Sequence, residues 1–445
     1  MFKIGDVQSV EIADLNHQGE GVGKAAGFVL FVPEALPGET VTAEIISLHK
    51  SHAYARLLSR ESSSPHRVIP PCPYYNLCGG CQLQHLSYEM QLVWKQKRVA
   101  ASLQRIGKIE APVLPTCGMP TPYRYRNKAR VHLAVDQGRV TAGFYETQSH
   151  RVIDIEDCLV QHPVNVLAIN TVRRVVQEQY SNKNVRTGQP LLVTAMVVRA
   201  SFATGQVLVT LESAADSSTL SRLKQLAQAI SVGLKDRLAG VVLHQMGKKG
   251  SRYTILVGQP FLEEEISPFR YRISSQSFFQ VNSIQAKVLF EQVTAYAAHP
   301  RTAFDLYCGT GNFALYLSRV AEHVIGVDSA SSTIADAKKN AATNGLHNLE
   351  FIKSLAEDIP ALLLKGEHPK TILLDPPRKG CSPALLDAVV AAKPERIVYI
   401  SCDPATLARD LAYLSPKGYL TQEIQPIDMF PQTSHVETVV LMSRV

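Results

Sequence analysis

Asp305-Leu-Tyr-Cys-Gly309-Thr-Gly311-Asn312-Phe313-Ala314 decides the fold. The run Thr302–Tyr307 reads as a strand and Phe313–Ser318 as a helix, so both glycines fall at a strand-to-helix turn. Glycine there lets the backbone approach a ligand closely. The string also fits the G-x-G-x-x-A of dinucleotide sites, so alone it does not separate nicotinamide enzymes from those using S-adenosylmethionine. The next strand, His323–Val327, ends at Asp328, where a carboxylate can accept hydrogen bonds from ribose hydroxyls in either class.

Outward from this turn, helices at Thr333–Asn344 and Pro383–Ala392 alternate with strands at Thr371–Leu374 and Arg396–Ile400. That alternation predicts a parallel α/β sheet covered on both faces. Ligands bind at the strand ends of such sheets, and two ends carry reactive groups. Thr371–Leu374 runs into Asp375-Pro-Pro-Arg378, whose prolines hold the backbone extended and present the carboxylate. A base-modifying site needs such an acceptor, whereas hydride transfer does not. The following strand leads into Ser401-Cys402-Asp403-Pro404, and a cysteine opposite a cofactor loop is a candidate nucleophile. Cys308 and Cys381 read instead as small buried hydrophobes.

Upstream, residues 1–60 alternate short apolar runs with Gly and Pro turns; Phe28–Val32, Val41, Ala43 and Ile45 fit a small β-barrel. A linker at 61–71 precedes Cys72-(x5)-Cys78-(x2)-Cys81. Zinc sites present two close pairs of ligands, whereas three thiolates in one tight loop and a distant fourth suit a [4Fe–4S] cluster. Cys158 is the favoured fourth ligand and Cys117 the weaker; zinc, or no metal, stays open on spacing alone. A helix is expected over Ser87–Ile106. Strand patterns dominate from Tyr123 to Ile273, with helices at Pro163–Ser181 and Ser217–Ala229.

The chain has 445 residues, 45% of them hydrophobic, which excludes disordered and low-complexity classes. No apolar run approaches the ~18 residues of a membrane span, and the N-terminus lacks a signal-type apolar segment. A cytoplasmic protein without membrane contact is expected. The net charge of +7 is local: between His85 and Arg130, nine basic residues face only Glu89 and Glu110, and the remainder is neutral. Such a segment suits a polyanion. Within it, Tyr123-Arg-Tyr-Arg126-Asn127-Lys128-Ala-Arg130 interleaves cations and aromatics, as splayed RNA bases require.

These motifs resemble the bacterial RNA uracil-5-methyltransferases, above all the 23S rRNA members. The resemblance is carried by Cys72–Cys81 with Gln82-Leu-Gln-His85, by Ser149–Val152 with Cys158, and by Gln280-Val-Asn282. It continues through Asp305–Phe313, Asp375–Arg378, Ser401-Cys402 with Leu407–Asp410, and Met429–Glu437. It implies a TRAM-type RNA-binding barrel (1–60), a central α+β iron–sulfur domain (61–282) and a Rossmann-like class I methyltransferase domain (283–445). It also implies Cys72, Cys78, Cys81 and Cys158 as cluster ligands. S-adenosylmethionine would meet Gln280, Tyr307, Asn312, Asp328 and Asp375, with Glu357 or Asp358 near its adenine. The family has Asn where this chain has Asp403.

The implied reaction is m5U formation in 23S rRNA by a monomer. C5 of uracil is a poor nucleophile until a thiolate adds at C6; Cys402 would add, and Glu437 would afterwards remove the C5 proton. The target base must leave its stack, which gives Phe278 or Phe279 a place in the pocket or in the vacated space. A tRNA substrate, a non-catalytic RNA-binding iron–sulfur protein and a nicotinamide oxidoreductase are the competing expectations.

Overall fold

The computed structural model describes residues 2–147, 149–181, 191–214, 219–247, 250–358 and 369–445. β1 (Val7–Leu15), β2 (Gly21–Ala25), β3 (Phe28–Val32), β4 (Thr40–Leu48) and β5 (His52–Arg60) close into a barrel in the order β1-β2-β3-β5-β4. Alternate residues turn inward, so Val10, Ile12, Leu30, Val32, Val41, Ala43, Ile45, Ala53 and Ala55 form its core. The segment read as a linker is docked on this barrel: Arg67 grips the fully buried Glu39 carboxylate at 2.5 and 2.7 Å.

Helix α1 (Tyr88–Ser102) follows the cysteine loop. It passes into a wider turn over Leu103–Gly107, which ends at Lys108 with φ +52°. Strands β6 (Lys128–Asp136), β7 (Arg139–Tyr145), β8 (Val152–Asp154), β9 (Ala195–Ala200), β10 (Val207–Glu212), β11 (Leu238–Gly247) and β12 (Gly250–Gly258) build a central sheet ordered β12-β11-β10-β9-β6-β7-β8. Helices α2 (Pro163–Ser181) and α3 (Leu220–Leu234) cover one face through Val172, Ile230 and Leu226 against Val198, Val209 and Leu243. The expected start of the second helix, Ser217-Ser218, lies outside the described residues.

Hairpin β13 (Phe261–Ile266) and β14 (Phe269–Ser274) leads to α4 (Ser283–Ala297). The last sheet comprises β15 (Thr302–Leu306), β16 (His323–Asp328), β17 (Leu349–Lys353), β18 (Thr371–Leu374), β19 (Arg396–Ser401), β20 (Tyr419–Ile427) and β21 (Glu437–Arg444), ordered β17-β16-β15-β18-β19-β21-β20. α4, α5 (Asn312–Leu317) and α6 (Ser331–Thr343) cover one face; α7 (Pro383–Ala391) and α8 (Pro404–Leu414) cover the other, joined by Val99 of α1 and Leu103 of the wider turn after it. This is a doubly wound, Rossmann-like α/β architecture. The sheet is not wholly parallel, since β21 pairs antiparallel with both β19 and β20. Strand-to-helix alternation cannot reveal such a pair, because a hairpin carries no intervening helix.

Candidate active site

The parallel strands β15, β16, β18 and β19 end at one edge of this sheet, and antiparallel β21 begins there. Register then sets the chemistry. Ser401 pairs with Thr438, so Cys402 and Glu437 are the next residues along the two strands, side by side at the rim. Asp375 is the residue after β18, the other neighbour of β19. The two carboxylates both act on the cysteine, and Asp375 acts on Glu437. Burial, followed by the charges of Glu437 and Asp375, pushes the Cys402 thiol up to about 11, and Arg378 works against that rise. Glu437 is buried and held well above the usual carboxylate range by burial and by Asp375, again opposed by Arg378. Burial alone raises Asp375 to about 7. Arg378, quoted with the strand-end motif but given no role there, is thus, among the described residues, the cation acting on both Cys402 and Glu437.

Asp403 has a local task. Its Oδ1 accepts from the backbone N–H groups of Ala405 and Thr406 at 2.9 and 3.1 Å, capping α8. Asn serves equally well at such a cap, so the departure from the family pattern leaves the cysteine's setting intact.

The glycine turn opens beside this rim. Gly311 (φ +82°) caps α5, and a Cβ on Gly309 (φ +53°) would meet nothing within 4 Å, so the backbone there faces open space. Asp328 accepts from Gly309 N–H at 3.1 Å and from Ala330 N–H at 2.8 Å. Asn312 is buried, accepting from Thr310 Oγ1 at 3.0 Å, and the same hydroxyl reaches Phe278 O at 3.4 Å, which ties the Gln280 segment to the turn. Asp305, absent from the expected site, is fully buried with both carboxylate oxygens unpartnered. Burial and the neighbouring Asp375 raise it well above the usual range. An orphaned carboxylate beside an open glycine turn fits the ammonium-bearing end of S-adenosylmethionine. Of the two adenine-side candidates, Glu357 acts on Tyr307 while Asp358 caps its own turn through Ser354 and Leu355. Phe279 is core, and Phe278 stands 58% exposed.

Cys72, Cys78, Cys81 and Cys158 line one cavity of about 390 Å³, together with Arg126, Arg130, Arg378, Phe430 and His435. Burial raises Cys78, lifts Cys158 to about 11 and Cys81 to about 12, and their mutual charges add to it. Cys117 lies elsewhere, its N–H bonded to Pro426 O at 2.9 Å. Among the described residues no three His, Cys, Asp or Glu side chains are gathered closely enough to hold a single metal ion. The basic segment is less open than its composition suggests. Lys95 is fully buried, Tyr125 is core with its hydroxyl on Pro431 O at 2.9 Å, and Arg124 pairs with Asp157 at 2.6 Å. Of Tyr123–Arg130, the cations Arg126 and Arg130 face the cavity.

Fold and rim together define a class: a methyltransferase acting on a nucleobase, with S-adenosylmethionine as methyl donor. Residues 87–445 match the tRNA (uracil-5-)-methyltransferase family, and residues 2–58 match the TRAM domain. An uncharacterized RNA methyltransferase of Halalkalibacterium halodurans is 41% identical across 98% of this chain and 97% of its own length. One from Listeria monocytogenes is 39% identical over 98% and 97%. The crystal structure of Pyrococcus abyssi tRNA (uracil-54, C5)-methyltransferase with S-adenosyl-L-homocysteine is similar at a TM-score of 0.77 and 27% identity, covering 98% of this chain and 100% of that one. The chain belongs to the tRNA (uracil-5-)-methyltransferase family: it is an S-adenosylmethionine-dependent RNA uracil-5-methyltransferase with an N-terminal TRAM barrel. The non-catalytic and oxidoreductase alternatives fall with that membership. No helix among the described residues is long and apolar enough to cross a membrane.

Proposed function

We propose that the protein methylates C5 of one uridine in 23S rRNA, with Cys402 as nucleophile and Glu437 as the base that removes the C5 proton. The observation that carries this is the rim itself, where register sets Cys402 beside Glu437 and Asp375 flanks both. S-adenosylmethionine supplies the methyl group when bound, and Gln280, Tyr307, Asn312, Asp328 and Asp375 are the residues offered to it, with Asp305 added by its orphaned carboxylate.

Cys402 acts as thiolate, and Arg378 offsets the burial and the two carboxylates that disfavour that form. A thiolate bond to C6 makes the base nucleophilic at C5. Once C5 is methylated, Glu437, held above the usual range, is a strong enough base to take the C5 proton. The C6–S bond then breaks, and its electron pair returns to Cys402. Exposed Phe278, on the segment tied to the glycine turn, is the aromatic that meets the extruded uracil or fills its place in the stack.

Cys72, Cys78, Cys81 and Cys158 would hold a [4Fe–4S] cluster. Four thiols lining one cavity, three of them from a single loop rather than from two close ligand pairs, support a cluster over zinc. Its task is structural or RNA-binding, because methyl transfer contains no redox step. The same assignment divides the chain at 1–60, 61–282 and 283–445, in a cytoplasmic monomer. The barrel together with the cluster motif favours 23S rRNA; the likeness to the archaeal tRNA enzyme favours tRNA instead. Mapping m5U in both RNAs from a deletion strain separates them: loss in 23S rRNA is expected, and loss in tRNA alone overturns the rRNA assignment.

A further inference from the structure

The stretch Asp428–Val436 joins β20 to β21 and delivers Glu437, yet it contains neither helix nor strand. Such a connection is ordinarily exposed and mobile. This one is buried: Asp428, Met429 and Val436 are 0% exposed and Gln432 2%.

Its polar groups are taken up by α1 and the cysteine loop. Lys95 donates to Asp428 Oδ1 at 2.6 Å and to Phe430 O at 3.1 Å, and Tyr88 donates to Asp428 Oδ2 at 3.0 Å. Gln91 and Gln432 clasp each other, Nε2 to Oε1 at 2.9 Å and Gln432 N–H to Gln91 Oε1 at 3.1 Å. Gln82 and Leu83, immediately after Cys81, both donate their backbone N–H to Gln432 O at 3.0 Å. Closest to Glu437, Arg98 donates to Ser434 O, and Ser434 N–H donates to Gln82 Oε1 at 3.3 Å.

A fully buried Lys–Asp pair is weak evidence for stability, since desolvation cancels most of its attraction and apolar replacements are often neutral. Its directional bonds instead fix where the connection sits, and with it the carboxylate at its end. We infer that Lys95, Gln91 and Gln82 are positioning residues for Glu437, so that α1 and the cysteine loop set the geometry of C5-proton removal. The inference rests on the proposed role of Glu437 and adds how that side chain is aimed. Cys402, by contrast, is placed by β19 and α8, which carry none of these bonds. The latch therefore governs the second half of the reaction, in which the C5 proton passes to the Glu437 carboxylate while the C6–S electron pair returns to Cys402.

The two halves can be read apart with RNA. Unmodified 23S rRNA or tRNA transcript, whichever is methylated, is compared with the same transcript containing 5-fluorouridine. Fluorine cannot leave as a cation, so the fluorinated RNA reports thiolate addition and methyl transfer without needing a base. Gln91→Leu and Lys95→Met are expected to form the fluorinated adduct within about twofold of wild type. On ordinary RNA they should release m5U at least about tenfold more slowly, with adduct accumulating. Gln82→Ala, at a partly exposed position that tolerates truncation, should show the same split more weakly and decides the matter if the buried variants do not fold. Parallel loss of both halves, or loss of neither, overturns the inference. Glu437→Gln is the control: if it traps no adduct, the role of Glu437 fails, and if it traps adduct while folded latch variants do not, the positioning alone fails.

Discussion

Cys402→Ala should abolish both turnover and covalent RNA complex, whereas Glu437→Gln should keep the complex and slow release by about 10²–10⁴-fold, read as RNA-linked protein on a denaturing gel. Turnover by the alanine variant would contradict the nucleophile. The pH dependence has a definite sign. Cys402, Glu437 and Asp375 all hold their protons more tightly than usual, and addition and proton removal need the deprotonated forms. kcat/KM should therefore fall as pH drops through the neutral range and climb on the alkaline side. Arg378→Met removes the charge that favours both anions, so the acid limb should move to higher pH. Cys402 and Asp375 stood out as candidates because each follows a strand pattern, Asp375 directly before proline and Cys402 two residues before one. Glu437 was legible only through family resemblance, since its partner comes from a register that sequence does not show. Asp305 was missed because it lies inside an apolar strand; a lone acid in such a run is the signal that could have found it.

Helix and strand ends do the placing, and two substitutions test them. Asp403→Asn should leave thermal stability and activity nearly unchanged because the cap on α8 survives, while Asp403→Ala should cost about 1 kcal/mol by denaturant unfolding. Gly311→Ala forces φ +82° on a residue whose Cβ would stand 3.0 Å from Phe351. It should cost about 1–3 kcal/mol and weaken S-adenosylmethionine binding in calorimetry. The repeating strands and helices of the last sheet were readable from alternation, as the barrel was from its apolar runs between turns. The pair β20–β21 was not, because its nine-residue connection is too long for a tight hairpin turn and is ordered by bonds to α1 from far away in sequence.

Across the whole molecule, the charge excess of the His85–Arg130 segment divides into structural and surface parts. Lys95 is spent inside the fold, Arg98 on a backbone carbonyl and Arg130 on the Glu212 carboxylate at 2.7 Å, while Arg126 lines the cavity beside it. Composition could locate that segment but not tell a buried cation from a free one. Protein prepared anaerobically should carry about four irons per chain and lose them in Cys158→Ser; stoichiometric zinc would contradict the cluster. The central claim is tested most directly by incubating the purified protein with methyl-labelled S-adenosylmethionine and unmodified 23S rRNA, then digesting the product to nucleosides. Label in 5-methyluridine, absent with Cys402→Ala, is the expected result. Label on another base or atom, or none in 23S rRNA while tRNA is methylated, would contradict it.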